Sequence, residues 1–252
     1  TKAAKTGNCR YSTNSQLALY IMNKRITLIT GASQGIGRAT AKCLAKAGHH
    51  VILLARSKKA LELLDDEISA EGGSATLIPF DLTDGKSYDA LGQALNQKFG
   101  RVDGLVGNAA LLGQIGPLQA CGERQFLETI DVNLTANWRL IRILDPLLRR
   151  SESPRAVFLT SGVVPRPRAF WGAYQASKAG LEGLIAAWAD ENEKTSLRVN
   201  LFDPGATRTG MRADAMPGED PATLKTPDAV ADMLVELVSE AETRHGVRVE
   251  YS

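Results

Sequence analysis

The stretch that decides the fold lies near the start of the chain, where residues 25–48 are RITLITGASQGIGRATAKCLAKAG. The run RITLIT is apolar and β-branched, which favours a buried strand, and a glycine-rich turn follows it. RATAKCLAKAG then has a helical pattern that ends on Gly48, a residue that commonly terminates helices. A strand, a glycine-rich turn and a helix in this order predict the first unit of an alternating α/β fold.

The same alternation continues to the C-terminus. Apolar runs such as HVILLAR, ATLIPFDL, VDGLVGNA and RAVFLTS are separated by helical patterns, and SLRVNLFDPG and GVRVEYS complete the series. The sequence therefore predicts a Rossmann-type doubly wound parallel sheet with helices on both faces, in three α/β/α layers. The longer predicted helices cover residues 58–72, 88–99, 123–150, 174–193 and 228–240.

No linker or internal repeat divides this pattern, so we expect a single Rossmann-fold catalytic domain over residues 22–252. Met22 directly precedes the first strand and resembles a natural start. Residues 1–21 are therefore interpreted as an N-terminal extension or an expression-derived segment outside that domain.

Composition excludes several classes of protein. The chain has 252 residues, 44% of them hydrophobic, and its 30 basic and 28 acidic residues nearly balance, so we expect no nucleic-acid partner. No apolar run approaches the ~20 residues that span a bilayer, so no membrane insertion is expected. Three widely spaced cysteines, with no histidine pair nearby, fit a reducing, cytoplasmic location and give no metal-site spacing.

The glycine-rich turn is a candidate phosphate site. Gly31, Gly35 and Gly37 lie between the first strand and the first helix. Glycines at this position let backbone amides approach a pyrophosphate at the helix N-terminus, although turns also use glycine for conformation alone. The strand before and the helix after favour a nucleotide site.

A second candidate is the pair Tyr174 and Lys178 in WGAYQASKAGLEGL, residues 171–184. Residues four apart lie on the same face of a helix, so the phenol and the ammonium point the same way. An isolated pair of this kind can also be an ordinary solvent-facing pair. Its meaning depends on whether the rest of the chain builds a pocket around it.

Further motifs along the chain complete the pattern. They are FDLTD (80–84), GNAA (107–110), DVNL (131–134), FLTSG (158–162) and DPGATRT (203–209). With TGASQGIG, spaced GxxxGxG, and the YxxxK pair, they resemble the short-chain dehydrogenase/reductase family from about Lys24 to the C-terminus, in particular bacterial members without an assigned substrate. Gly107 and Ala110 depart from the family's NNAG motif.

The resemblance implies catalytic roles for four residues. Tyr174 would exchange a proton with the substrate oxygen, Ser161 would hold and polarise that oxygen, and Lys178 would hydrogen-bond the nicotinamide ribose. Asn133 would position a water that links Lys178 to solvent. Because a nearby ammonium and a positive nicotinamide favour phenolate, we also expect the pKa of Tyr174 to be lowered. Each has a local alternative: Ser161 could only cap a strand end, and Asn133 could only satisfy backbone groups within its helix. Asp81, in the FDLTD motif, could only cap the next turn.

The resemblance also implies a nicotinamide cofactor and a set of residues that bind it. Asp81 would lie near the adenine, and the PG motif would line the nicotinamide side. The whole implied set comprises Gly31, Ser33, Gln34, Gly35, Ile36, Gly37, Arg56, Ser57, Asp81, Leu82, Asn108, Ala109, Tyr174, Lys178, Pro204, Gly205 and Thr207.

The end of the second strand bears on the choice of cofactor. An acidic residue there accepts hydrogen bonds from a free ribose 2′-hydroxyl and repels a 2′-phosphate. This chain has Ala55 at that place, followed by Arg56 and Ser57. A guanidinium and a hydroxyl suit a phosphate, so we expect NADP(H) to be preferred over NAD(H). A solvated Arg56 is the alternative.

The substrate is less visible in the sequence. Phe170, Trp171, Met211 and Met216 could form an apolar wall, although such residues more often pack a core. Arg166, Arg168, Arg208 and Arg212 could favour an anionic substrate, but ordinary surface charge explains them more readily.

These patterns predict an NADP(H)-dependent oxidoreductase that interconverts a carbonyl and a secondary alcohol, both small molecules. The alternatives are a cofactor-binding sensor or scaffold without turnover, and another reaction on the same fold such as epimerisation or dehydration. The resemblance also implies a homodimer or homotetramer that pairs through the helices at residues 123–150 and 174–193.

Overall fold

A computed structural model describes residue 21 and residues 23–251 of the chain. Among these residues, seven strands form one sheet in which every neighbouring pair is parallel, in the order β3-β2-β1-β4-β5-β6-β7. The prediction of a Rossmann-type doubly wound sheet is confirmed. The strands are β1 (Ile26–Thr30), β2 (His50–Ala55), β3 (Ser74–Pro79), β4 (Gly104–Gly107), β5 (Arg155–Leu159), β6 (Arg198–Asp203) and β7 (Arg248–Glu250).

Helices connect the strands and cover both faces of the sheet. Each parallel crossover requires such a connection, because the chain must return to the same edge before the next strand begins. The α-helices among the described residues are α1 (Gly35–Lys46), α2 (Lys58–Ala70), α3 (Tyr88–Phe99), α4 (Glu123–Ile130), α5 (Ala136–Leu148), α6 (Gly172–Glu191), α7 (Gly210–Ala215) and α8 (Pro227–Leu237).

Two apolar cores lie on opposite faces of the sheet. One packs α3, α5 and α6 against the strands and includes Phe99, Leu144 and Trp188. The other packs α1, α2 and α8 and includes Leu44 and Leu64. The central strands β1, β2, β4 and β5 are buried along their whole length, as expected for strands covered on both faces.

The strand order reverses direction between β1 and β4. In open α/β sheets the crevice at the carboxyl ends of such a pair is where ligands bind. The loops that follow β1, β4, β5 and β6 all reach this end of the sheet, so the topology gathers the predicted motifs at one place.

Several predicted boundaries differ from the structure. The predicted helix over residues 123–150 is interrupted by a π-helical turn, Asp131–Thr135, between α4 and α5. The segment after β6 contains α7 and a short 3-10 helix, Pro221–Thr223, neither of which is among the predicted helices. The ends of this segment are joined, because Thr207 and Lys225 form an isolated parallel bridge and Arg208 N donates to Lys225 O at 2.9 Å.

The predicted extension, residues 1–21, lies outside the described residues except for Ile21. That side chain is partly buried and packs against the core that contains Phe99. The single catalytic domain over residues 22–252 stays a prediction.

Candidate functional site

The turn after β1 depends on glycine residues, which have no side chain. Gly31 and Gly35 have positive φ angles of 65° and 54°, which glycine adopts without the steric cost of a Cβ. Gly37 is buried, and a Cβ at its position would lie 2.4 Å from both Gly31 O and Asn108 Nδ2. The start of α1 therefore packs directly against the end of β1, and its backbone amides are accessible at the carboxyl edge of the sheet.

Asn108 fastens this turn to the neighbouring strand. Its Nδ2 donates to Thr30 O at 2.8 Å and to Gly31 O at 3.3 Å, and its backbone N donates to Thr30 Oγ1 at 3.0 Å. The departure at Gly107 also has a physical reason. A Cβ there would lie 2.2 Å from Cδ1 of Phe158, so the Phe158 ring on β5 occupies the space that a side chain would need.

A cavity lies at the carboxyl ends of the strands, and the end of β2 contributes a cation and no acidic residue to it. Ala55 and Arg56 both line it, and Arg56 is exposed. Ser57 does not line it, because its side chain caps α2 and accepts from Ala60 N at 3.3 Å. The structure thus leaves Arg56 as the group that faces the cavity from this strand end.

Asp81 caps its own turn and also lines the cavity. Its Oδ1 accepts from Thr83 N at 2.9 Å and from Thr83 Oγ1 at 2.8 Å, and these hydrogen bonds lower the pKa of the Asp81 carboxyl. One oxygen is therefore used for the local cap that the sequence offered as an alternative, while the other remains available to a ligand.

Ser161, Tyr174 and Lys178 meet at the wall of the same cavity. Tyr174 is buried on the first turn of α6, and the Ser161 hydroxyl beside it lowers the pKa of its phenol. Lys178 lies one turn further along, with its ammonium 5.9 Å from the centroid of the Tyr174 ring and Nζ donating to Leu159 O at 2.7 Å. The pair is thus not solvent-facing, which answers the alternative that the sequence left open.

The expected lowering of the Tyr174 pKa is not found. Burial raises the pKa of Tyr174, the Ser161 hydroxyl opposes this and the negative charge of Asp203 adds to it, and the net result is a pKa of about 12. Burial also lowers the pKa of Lys178 to about 8, against the charges of Asp203 and Glu182. Desolvation of both charged forms outweighs the mutual effect that the i, i+4 spacing suggested.

Asn133 lies within the π-helical turn and is fully buried. Its Oδ1 accepts from Leu111 N at 2.7 Å, and its Nδ2 donates to Leu111 O at 2.8 Å and to Ser177 Oγ at 2.9 Å. Both amide hydrogens are occupied, so Asn133 joins the loop after β4 to α6. It does not line the cavity. The water-relay role stays a prediction, and only acceptor atoms of Asn133 remain for it.

Most of the predicted site residues line one cavity of about 650 Å³, within the range of small-molecule sites. The exceptions are Gly37, Ser57 and Asn133, which lie behind its wall. The predicted residues that line it are Gly31, Ser33, Gln34, Gly35, Ile36, Arg56, Asp81, Leu82, Asn108, Ala109, Ser161, Tyr174, Lys178, Pro204, Gly205 and Thr207.

Sequence reasoning assigned no role to Asp203, which also lines the cavity. It is the last residue of β6 and is buried, and its carboxylate bonds Gly205 N at 2.9 Å and Arg248 Nη2 at 2.7 Å. An acidic residue at a strand end, directly before the PG motif, was the available signal. Its partner on β7 could not be identified without the order of the strands.

The rim of the cavity divides the predicted substrate residues. Trp171 and Met211 line the cavity, and the Trp171 ring contacts the Tyr174 ring edge-on with centroids 5.8 Å apart. Phe170 and Met216 do not line it, and the Phe170 side chain is exposed. The predicted apolar wall is therefore reduced to two of its four members.

The four arginines are divided in the same way. Arg166, Arg168 and Arg212 line the cavity, and Arg208 does not. Arg212 forms a two-bond ion pair with Glu219, at 2.5 and 2.6 Å, which neutralises its charge. Only Arg166 and Arg168 remain as unneutralised cations facing the cavity among the four.

The cavity has the glycine-rich turn that a dinucleotide site requires. The close contact of Gly31 with Gly37 leaves a strand-to-helix turn that a Cβ would block, which is what a pyrophosphate requires of the backbone. Within the described part of the chain there is no cluster of side chains that could hold a metal ion, and no helix is long and apolar enough to cross a membrane.

Comparison with known proteins agrees with this geometry. The family model described as short chain dehydrogenase matches residues 25–220. The oxidoreductase YciK of Escherichia coli K12 is 37% identical over 227 residues, covering 89% of this chain and 90% of that protein.

Solved structures give the same result. A short chain dehydrogenase from Shigella flexneri, complexed with NADP, is 37% identical with a TM-score of 0.87, covering 91% of this chain and 98% of that one. A short chain dehydrogenase from Escherichia coli CFT073, complexed with NADPH, is 36% identical with a TM-score of 0.85, covering 91% and 97%.

Proposed function

This chain belongs to the short-chain dehydrogenase family of oxidoreductases, and we propose that it interconverts a carbonyl and a secondary alcohol with NADP(H). One observation carries the proposal: Ser161 and Tyr174, with Lys178 one turn further along α6, line the same cavity as the glycine-rich turn. A binding-only protein has no need for this proton-transfer arrangement. A cofactor-binding sensor or scaffold is the second candidate function, and a measurement of turnover distinguishes it from the oxidoreductase.

Tyr174 exchanges the proton with the substrate oxygen. In the direction of reduction its hydroxyl donates to the oxygen as negative charge develops there, and in oxidation the phenolate accepts the alcohol proton. Ser161 donates a hydrogen bond to the same oxygen, a contribution that depends on a donor held in place beforehand. When bound, the nicotinamide supplies or accepts the hydride.

Lys178 has two roles beside the Tyr174 phenol. One of its three N–H groups donates to Leu159 O, and the other two are free to bind the ribose hydroxyls of the cofactor. Its positive charge also favours phenolate at Tyr174, which opposes the effect of burial. The pKa of Tyr174 is raised to about 12, chiefly by burial, so the phenol is protonated near neutral pH and can donate in the reduction direction.

Two observations support NADP(H) rather than NAD(H). The end of β2 has Ala55 where an acidic residue would repel a 2′-phosphate, and the exposed Arg56 faces the cavity beside it. The Shigella and Escherichia structures are complexed with NADP and NADPH.

We also propose self-association through the helices predicted for it. Leu127 on α4 and Trp138 on α5 are large apolar side chains that are 56% and 49% exposed, which suits a surface covered by a second copy. Light scattering distinguishes a dimer from a tetramer.

The decisive experiment follows NADPH oxidation across a panel of ketones, aldehydes and quinones, with Tyr174→Phe beside the wild type. We expect turnover to fall by roughly 10²-fold or more in Tyr174→Phe while NADPH affinity is retained, because only the proton donor is lost. Tyr251→Phe is the matched control, since Tyr251 lies outside the cavity lining.

Two results count against the proposal. Equal turnover in Tyr174→Phe and wild type would remove Tyr174 from the chemistry. Tight NADPH binding by the wild type with no turnover on any panel member would favour the sensor.

A further inference from the structure

The buried ammonium of Lys178 needs an explanation. Lys178 is 2% exposed, and transfer of an ammonium from water into such a place strongly favours loss of its charge. Its Nζ donates to the neutral carbonyl of Leu159. Among the described residues, no carboxylate lies within 4.0 Å of this ammonium. Its charge must therefore be supported by carboxylates that do not contact it directly.

Two carboxylates act on Lys178 without contacting it, one on α6 and one at the end of β6. Glu182 lies on α6 four residues after Lys178 and eight after Tyr174, so the three side chains share one face of the helix. Asp203 lies at the end of β6 and lines the cavity with both Tyr174 and Lys178. Both carboxylates raise the pKa of Lys178, with Asp203 the stronger of the two, while burial lowers it to about 8.

Arg248 on β7 fixes both carboxylates. Its Nη2 donates to Asp203 Oδ2 at 2.7 Å, and its Nε donates to Glu182 Oε1 at 3.2 Å. Gly205 N holds the other Asp203 oxygen at 2.9 Å. Thr160 Oγ1 also donates to Glu182 Oε1, at 2.6 Å. The bonds from Arg248 and Gly205 occupy both carboxylate oxygens of Asp203. They hold the carboxylate at the cavity wall, without direct contact with Lys178.

We propose that Asp203, held by Arg248 and by the Gly205 amide, is the positioning residue that keeps the buried Lys178 charged beneath the catalytic phenol. The site would then depend on an ion pair between the last two strands of the sheet. The other charged groups packed around Asp203 are Lys225, whose charge also interacts with it, and Glu250, which pairs with Arg248 from the exposed side.

The direction of the effect follows from the charges. Removing the negative charge of Asp203 removes the stronger support for the ammonium, so Lys178 titrates at lower pH. The same change lowers the pKa of Tyr174, because Asp203 also disfavours phenolate. Loss of packing alone would admit water, which raises the pKa of Lys178, so it would move that titration in the opposite direction.

The test is a direct titration of Lys178. The protein is labelled with ¹³C at lysine Cε, the Lys178 signal is assigned by its loss in Lys178→Met, and chemical shift is followed against pH. In Asp203→Asn we expect the midpoint to fall by about half a pH unit or more, as for loss of a nearby opposite charge. Asp203→Glu should restore much of the wild-type midpoint.

Glu250→Gln is the matched control, because it removes another carboxylate from the same guanidinium but not one that acts on Lys178. Its midpoint should equal that of the wild type. If Asp203→Asn does not fold, Glu182→Gln tests the same reasoning from the helix, with a smaller shift in the same direction. An unmoved midpoint in folded Asp203→Asn, or an equal fall in Glu250→Gln, overturns the proposal.

A kinetic measurement then links this charge to the chemistry, and this part rests on the proposed function. The basic limb of the pH profile of kcat/KM for carbonyl reduction should move to lower pH in Asp203→Asn, in parallel with the titration. Absence of turnover in every form would count against the proposed function and leave the titration result intact. A shifted titration with an unshifted profile would show that the Lys178 charge does not limit the reaction, which would overturn the link to catalysis.

Discussion

Replacing Gly37 by alanine tests the reasoning about the turn after β1. The added Cβ would lie 2.4 Å from Gly31 O and from Asn108 Nδ2, whereas real Cβ contacts essentially never fall under 3.0 Å. One neighbour is backbone, and the other is held at 2.8 Å from Thr30 O. Because neither can give way as a flexible side chain would, the start of α1 must move by about half an ångström or more.

That displacement has two measurable costs. Forcing an extra methyl group into a packed site costs roughly 1–3 kcal/mol, so the free energy of unfolding should fall by that amount in urea denaturation. Moving the amides that face the pyrophosphate should raise the Kd for NADPH about tenfold or more, measured by titration calorimetry.

Gly183→Ala provides the contrast. Gly183 lies within α6, and nothing lies within 4 Å of the position its Cβ would take. The change should leave the Kd unchanged and stabilise the helix by about 0.5–1 kcal/mol. If Gly37→Ala keeps both the stability and the NADPH affinity of the wild type, a Cβ at position 37 does not displace the start of α1.

Two further predictions concern cofactor choice and pH. Arg56→Gln should raise the KM for NADPH about tenfold or more and leave the KM for NADH unchanged, because a charge-assisted hydrogen bond contributes ~1.5–3 kcal/mol; an equal rise for both cofactors would contradict it. Burial lowers the pKa of His49 and of His50 to about 4, below the ordinary 6.5, so the stability that each neutral ring contributes is present above about pH 6.5 and lost as pH falls towards 4. Between about pH 7.5 and about pH 5, each histidine should therefore lower the free energy of unfolding by about 2 kcal/mol. In urea denaturation at these two pH values, the fall for His50→Gln should be about 2 kcal/mol smaller than the fall for the wild type.

The sequence was sufficient for the fold because its signals are local. Alternation of buried strands with helical patterns fixes a parallel sheet, and the turn chemistry at Gly31 identifies which end of it binds a ligand. The pair at Tyr174 and Lys178 could be placed on one helical face for the same reason, since its spacing spans a single turn.

The features that could not be predicted depend on contacts between distant parts of the chain. Gly107 is explained by the ring of Phe158, about fifty residues later, and the pairing of Asp203 with Arg248 requires β6 and β7 to be neighbours. The pKa of Tyr174 was expected to fall because the charges considered beside it were those of Lys178 and the nicotinamide. Burial and Asp203, both products of the tertiary structure, raise it instead.

The bridge between Thr207 and Lys225 has a consequence for how this scaffold can diversify. The segment between these residues contains α7, contributes Met211 and Arg212 to the cavity, and has its own internal ion pair to Glu219. Because its two ends are already held side by side, the entropy of closing it changes only slowly with length. The segment between Thr207 and Lys225 can therefore be replaced by longer, shorter or differently charged segments. The sheet and the proton-transfer residues would not need to change.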